Sequence, residues 1–468
     1  MLLLICAVGC EQQKPAPATA APVAVPEPIF AESYTGSLAI LPDPALQAQL
    51  QGVCADFLDG QYFDRLSVTL LIKEPDGTWR QAAVGDEQFW YPGCVVKLGC
   101  LPAIAHIARS SQSDITLDFW EQLDQAFIPS ENEPFGEVLD VITQTTNFTP
   151  ENSTGPEFRA WLENRFLFER YLSKAGLLRG QRFFNKTYPS NSGPYPTGAE
   201  SIALTTLGAN RLRTRDLAEL MILLIEGKLE PESTPLFHHL LLRERRYNTS
   251  VLGYSLPPGT IYYSKMGSGR ETIGDTAYIT LPNGRTFVIS VFANARQGDY
   301  TDDRHFSDMV VVAPLVELLI DRLQLYPEET QILLRSTDEL VLAQGNWELS
   351  DHHPQFTTLY SVPSEAKNTM EFPFQITQPG TYEIEVSYAD FPHGNPVVAL
   401  QIGSTDSKTT ADFMSTINFS RRGGRWYHLG NAAFIEGDYS ATLSDYGAEN
   451  RVYGVSAIRL RLIPENLP

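Results

Sequence analysis

The chain has 468 residues, with 35 Lys plus Arg set against 56 Asp plus Glu, and so a formal charge of −21. That length carries two or three domains, and 43% apolar residues with 11% aromatics exclude a wholly disordered chain. An acidic chain lacks the clustered Lys and Arg that phosphate-backbone binding requires, so no nucleic-acid partner is expected. Five cysteines, Cys6, Cys10, Cys54, Cys94 and Cys100, are too few for a disulfide-dense scaffold of this length.

The chain opens MLLLICAVGC and continues with a Pro/Ala-rich stretch. The apolar run is too short to remain as a bilayer-spanning helix. It resembles a bacterial lipoprotein signal, with Ala7-Val8-Gly9-Cys10 as the lipobox and Cys10 as the lipidated residue. Two features depart from that pattern: there is no basic n-region, and Ala7 stands where Leu is usual. The resemblance implies a lipid anchor in a membrane of the bacterial cell envelope, with residues 1–36 as signal and semi-extended tether.

From Pro44 to Leu58, apolar residues at Leu46, Leu50, Val53, Cys54 and Phe57 predict an amphipathic helix. Leu66–Lys73 and Thr78–Val84 read as strands around the turn Pro75-Asp76-Gly77. A helix starts near Cys94, and others cover Phe135–Thr143 and Phe158–Leu178. The stretch Gly180–Gly208 reads as a long loop. Thr214 reads as the N-cap of a helix that ends before Gly227. Strands follow at Thr260–Lys265, Thr276–Leu281 and Thr286–Ala293, then a helix at Met309–Leu325 that Pro314 should bend. This order predicts an α/β sandwich with a helical subdomain over residues 37–326.

After a linker at 327–344, the pattern changes to period two at Phe372, Phe374, Ile376 and at Tyr382, Ile384, Val386, Tyr388. Further short strands are expected at Val397–Ile402, Trp426–Leu429, Tyr439–Ser444 and Val455–Leu460. Residues 345–468 are therefore expected to form an all-β sandwich.

The segment Tyr91-Pro92-Gly93-Cys94-Val95-Val96-Lys97 puts a thiol in the first turn of a helix and an ammonium three residues later on the same face. Both the helix N-terminus and the lysine favour an anion, so Cys94 should be an activated nucleophile. Cys54 and Cys100 read as core residues. The eight His residues show no metal-ligand spacing, and neither metal nor cofactor is expected.

With Ser for Cys94, the segment would be the S-x-x-K motif of β-lactamases and penicillin-binding proteins. Residues from about Ser37 to Leu325 resemble that superfamily, closest to its class A group, in the order of several motifs. Thr145-Thr146-Asn147 stands in the place of S-D-N, and Lys265-Met266-Gly267-Ser268 in the place of K-T-G. Asn210 to Ala218 is similar to the helix start after the family's omega loop. The resemblance implies a thioester acyl-enzyme on Cys94, with Lys97 as proton acceptor or thiolate stabiliser. It also implies Thr145 as proton shuttle, Asn147 as orienter of Lys97 and of a substrate amide, and Lys265 as a source of positive potential. The backbone N–H groups of Cys94 and Ser268 would form the oxyanion hole. Gly267, Ser268 and Arg270 would line the substrate, a peptide, amide or ester from near the cell wall. Met266 departs from the family's Thr or Ser, and nothing around Glu200 resembles its deacylating glutamate, so slow hydrolysis, acyl transfer or acyl trapping is expected over efficient β-lactam turnover. The alternative is an inactive relative that binds wall peptide or glycan.

Gly345-Asn346-Trp347-Glu348-Leu349-Ser350, Pro379 to Ile384 and Gly424 to Gly430 resemble golvesin C-terminal-like sandwich domains. That resemblance implies carbohydrate or surface binding. Trp347 and Trp426 are the candidate sugar-stacking residues, with core packing as the other reading.

Overall fold

The computed structural model describes residues 38–59, 63–110, 115–150, 154–177, 180–182, 185–188, 195–245, 251–269, 272–295, 312–326, 331–350, 356–361, 368–389, 398–405, 412–417, 426–445 and 454–464. The proposed anchor Cys10 and the candidate Arg270 lie outside them.

The first unit runs β1 (Ile40–Pro42), α1 (Pro44–Asp59), β2 (Phe63–Lys73), β3 (Trp79–Val84), α2 (Val96–Ser110), α3 (Leu117–Phe127), α4 (Asn132–Thr143), α5 (Pro156–Arg165), α6 (Leu167–Lys174) and α7 (Gly198–Leu207). It continues with α8 (Thr214–Ile225), α9 (Thr234–Leu241), β4 (Ile261–Ser268), β5 (Thr272–Thr280), β6 (Thr286–Ala295) and α10 (Ala313–Arg322). The strands form one sheet in the order β1-β3-β2-β6-β5-β4, antiparallel apart from the β1–β3 pair.

Alternation along the strands explains why the sheet is covered twice. In β6, Phe287, Ile289, Val291 and Ala293 enter one core with α1 and α10, while Val288 and Phe292 enter the other with α2 and α8. Strand β4 is left at the sheet edge, which sets where a site can open.

Several elements depart from the sequence reading. The expected helix Phe158–Leu178 is two helices, broken at Phe166. The expected loop Gly180–Gly208 contains α7, and α3 and α9 are helices beyond those that the apolar spacing predicts. Pro314 sits in the first turn of α10, where its missing N–H costs nothing, so it starts the helix instead of bending it. Thr214 is the first helical residue, and its hydroxyl bonds to Thr69 (2.9 Å).

Asp43 caps α1 by accepting from the backbone N–H of Ala45 (2.8 Å) and Leu46 (3.0 Å). The Leu46 N–H and the Arg80 guanidinium hold its carboxyl below the usual aspartate range. A depressed acid contributes stability above its unfolded pKa and loses it as pH falls through the folded one. Asp43→Ala should therefore lower stability by about 1 kcal/mol at neutral pH, a difference that shrinks in thermal melts taken as the pH falls below the ordinary aspartate range.

The second unit is all-β: β7 (Gln331–Arg335), β8 (Leu342–Gln344), β9 (Trp347–Ser350), β10 (Thr358–Ser361), β11 (Thr369–Ile376), β12 (Gly380–Ser387), β13 (Val398–Ser404), β14 (Phe413–Ile417), β15 (Trp426–Phe434), β16 (Gly437–Asp445), β17 (Gly454–Val455) and β18 (Ala457–Leu462). A five-stranded sheet (β14-β13-β16-β11-β8) and a four-stranded sheet (β15-β12-β18-β7) enclose a core with Met370, Phe372, Ile384, Val386 and Leu460. The stretch expected as linker, 327–344, contributes two of these strands. β7 pairs with β18, and β8 pairs with β11.

Trp426 is only 7% exposed, and its indole Nε1–H donates to Glu317 on α10 (2.5 Å). It faces the first unit, so the expected sugar-stacking role does not hold for it. Trp347 packs partly against the sandwich core.

Candidate functional site

The site is assembled by a close approach of two backbones. Gly93 opens the turn before α2 with φ +50°, and a Cβ on it would lie 2.4 Å from the carbonyl oxygen of Ser268. A Cβ on Gly267 would lie 2.5 Å from the nitrogens of both Cys94 and Val95 and 2.6 Å from the oxygen of Pro92. Real Cβ contacts do not occur at such distances, so only glycine lets the edge strand β4 lie against the turn Gly93–Val95 that leads into α2. That contact brings Cys94 and Lys97 to Lys265 and Ser268.

Lys97 is fully buried on α2. Its Nζ donates to the carbonyl oxygens of Ser130 (2.8 Å), Glu131 (2.8 Å) and Ala126 (3.3 Å). Lys265, 1% exposed, donates to Ser130 Oγ (2.6 Å) and to the Met266 carbonyl (3.1 Å). The Cys94 thiol donates to Asn132 Oδ1 (3.2 Å); with a thiolate, rotation of the amide would present its NH₂ instead.

Burial alone would raise the Cys94 thiol. The charges of Lys97 and Lys265, with hydrogen bonds from Ser130 and Lys97, outweigh it and hold the thiol below its usual range. Burial lowers Lys97, partly offset by the Cys94 thiolate beside it. Lys265 falls well below the lysine range through burial and the neighbouring Lys97 charge. The three groups titrate together, because the charge of each shifts the others.

Strand β4 also directs backbone donors at this point. Tyr262 O accepts from Arg243 N (2.8 Å), on the side of β4 away from β5. The two-residue period turns the N–H groups of Ser264, Met266 and Ser268 the same way. The Cys94 N–H lies in the 3-10 turn Gly93–Val95 that leads into α2, with no helical carbonyl before it.

The fold thus brings Cys94, Lys97, Lys265, Gly267 and Ser268 together. Thr145 and Asn147 stand elsewhere. Thr145 closes the far end of α4: its N–H donates to Asp140 O (2.9 Å), and its hydroxyl shares a hydrogen bond with Thr143 (2.7 Å). At 1.5 Å per residue, the 12 residues of α4 put it about 18 Å along the helix from Asn132. Asn147 ties down the start of α7, donating to Thr197 Oγ1 (3.3 Å) and accepting from Glu200 N (3.3 Å). The hydroxyl and amide facing Cys94 come from Ser130-Glu131-Asn132. Their signal in the sequence is a Ser-x-Asn triplet at a helix start, and the structure adds a left-handed Ser130 (φ 70°), a costly conformation for a non-glycine residue.

Glu200 is fully buried and paired with Arg165 (2.9 Å); burial raises its carboxyl above the usual range. Met266 is buried with Ile273 and Ala277 and presents no hydroxyl. Cys54 and Cys100 are buried; burial pushes the first to about 12 and the second well above the usual range. Among the described residues, no group of three His, Cys, Asp or Glu gathers as a metal site.

The profile of the β-lactamase enzyme family matches residues 177–310, and that of the golvesin C-terminal domain matches residues 332–462. The chain is 30% identical over 242 residues to golvesin of Dictyostelium discoideum, a match that covers 50% of this chain and 41% of that protein. The chain thus spans less than half the length of this curated relative. Solved structures similar to it include PBP-A (16% identity, 61% of this chain and 98% of that one, TM-score 0.41) and the TLA-1 extended-spectrum β-lactamase (14%, 59% and 99%, 0.43). A class A β-lactamase from Mycobacterium abscessus is also similar (15%, 59% and 99%, 0.41). The architecture is an α/β sandwich of the β-lactamase/transpeptidase type followed by a golvesin-like all-β sandwich.

Proposed function

We propose that this protein is an acyl hydrolase or acyltransferase that works through a thioester on Cys94. The observation that carries the reading is the convergence of two buried lysines on one thiol, an arrangement that is costly unless the charges are used. The substrate is a peptide, amide or ester.

The Cys94 thiolate attacks the carbonyl carbon, and the electron pair displaced onto oxygen is met by the N–H groups of Cys94 and Ser268. Collapse of the tetrahedral adduct breaks the C–N or C–O bond. The leaving atom takes the Ser130 hydroxyl proton, which the Lys265 ammonium replaces. Asn132 holds the sulfur and Lys97 balances its charge. Water or an amine then attacks the thioester, its proton returns through Ser130 to Lys265, and Cys94 leaves as the thiolate. Glu200, held by Arg165, takes no part, so release is slow.

Lipidation at Cys10 and residence in the cell envelope belong to the same proposal, resting on the opening segment. Among the described residues, no helix is long and apolar enough to cross a membrane.

Intact-mass measurement after incubation with a fluorescent penicillin and with an activated thioester tests the reaction. The wild type should gain one acyl group on Cys94, and Cys94→Ala should gain none at that position. No adduct from either reagent, together with an ordinary thiol pH profile at Cys94, would leave the binding-protein reading in its place.

A further inference from the structure

The two units meet through charges buried between them. Glu317 on α10 accepts from Arg459 on β18 (2.6 Å), which also pairs with Glu385 on β12 (2.9 Å). Arg461, two residues further along β18, pairs with Glu385 (2.7 Å) and Glu383 (3.1 Å). Glu383 also reaches Arg245 of the first unit (2.6 Å). Arg459, Arg461, Glu317, Glu383 and Glu385 are each at most 6% exposed. A buried ion set is a poor source of stability compared with apolar packing, but it is sensitive to geometry, because a misplaced partner leaves a buried charge unmatched.

The same charges hold the backbone around the Cys94 site by two routes. In the first, Arg245 stands two residues after Arg243, whose guanidinium donates to Phe127 O at the end of α3 (2.7 Å) and whose N–H donates to Tyr262 O on β4. Those are the elements that carry Ser130 and Lys265 to each other. In the second, Arg461 donates to Ser255 O (3.1 Å) and Arg245 to Leu256 O. The turn they grip donates from Leu252 N to the buried carboxylate of Asp275 (3.4 Å), which also accepts from Tyr262 OH (2.8 Å) and lies opposite Met266 in the β4–β5 ladder.

We propose that the sandwich is a positioning element of the Cys94 site, with Glu383 as the residue through which it acts. The inference rests on the thiolate reading above. The sandwich is then a fixed part of the reactive unit, not a module carried beside it.

The test is a substitution made wholly within the sandwich. Full-chain wild type, Glu383→Gln and Glu383→Asp are alkylated with iodoacetamide across pH, with adducts at Cys94 quantified by peptide mass. Glu383→Gln removes the charge partner of Arg245 and should move the Cys94 profile upward by half a unit or more, lowering the rate at neutral pH by about threefold. Glu383→Asp keeps the charge and should restore much of the profile. If the profiles of folded Glu383→Gln and the wild type coincide, the proposal is overturned. If Glu383→Gln does not fold, Arg245→Gln, which removes the other member of the same pair, decides: a profile moved upward supports positioning, and a wild-type profile overturns it. A wild type with an ordinary thiol profile defeats the thiolate reading itself, which separates the two failures.

Discussion

Lys97→Met is expected to cut the rate of Cys94 alkylation near pH 7 by roughly tenfold or more, while at alkaline pH, where any thiol is ionised, the variant approaches the wild type. Burial opposes ionisation of Cys94, and the Lys97 charge is the largest effect lowering it. Without that charge the thiol returns toward, or above, its ordinary range. The sign follows from the pairing: a lowered thiol pKa keeps the thiolate, and with it the reactivity, to lower pH than in an ordinary thiol, and the variant loses it at higher pH than the wild type does. Three carbonyls, of Ala126, Ser130 and Glu131, also lose their donor. Each buried unmatched acceptor costs about 1–3 kcal/mol, so the melting temperature should fall as well. Rates measured from pH 5 to 10 on folded protein separate the two effects, because lost stability does not bend a pH profile. A variant that keeps the wild-type profile would mean that Lys97 only braces the 126–131 loop.

The second large effect belongs to a residue with no side chain. Gly267→Ala should lower stability by about 1–3 kcal/mol and remove acylation of Cys94 together with it. The added methyl meets only backbone, the nitrogens of Cys94 and Val95 and the oxygen of Pro92, so no side chain can swing aside. Strand β4 and the turn Gly93–Val95 must separate, and the N–H groups of Cys94 and Ser268 separate with them. Gly52→Ala is the matched control. It lies within α1, and a Cβ there meets nothing within 4 Å. It should raise stability by about 0.5–1 kcal/mol. Urea midpoints for both variants, with adduct yield for Gly267→Ala, check the pair.

Much of the fold was legible because it follows from burial patterns. The helix at 44–58 and the period-two strands of both units are written in their apolar spacing, and Cys94, Lys97 and Lys265 in short motifs. Ser130 and Asn132 were not found. Helix α3, whose buried residues are only Phe119, Leu123, Ala126 and Phe127, went unread, and with it the chain position of the turn that precedes α4. Thr145-Thr146-Asn147 rests near a helix end, but at the C-terminal end of α4, away from Cys94. The strands at 331–335 and 342–344 carry no alternation that would reveal them, since the first three positions of β7 are half-buried and all three of β8 are exposed, and their pairing with β18 and β11 is a long-range fact. The charges between the units could not be read from sequence for the same reason. Glu317 and Arg459 reveal nothing of each other until the chain is folded.

The contact of Gly93 and Gly267 has an evolutionary consequence. A glycine codon becomes an alanine codon by one base change, so a lineage can silence this site in a single step without altering any reactive group. Descendants silenced in that way would still spell Cys94, Lys97 and Lys265. When relatives of this chain are sorted into working and retired copies, the two glycines are therefore more diagnostic than the nucleophile, and here both are present.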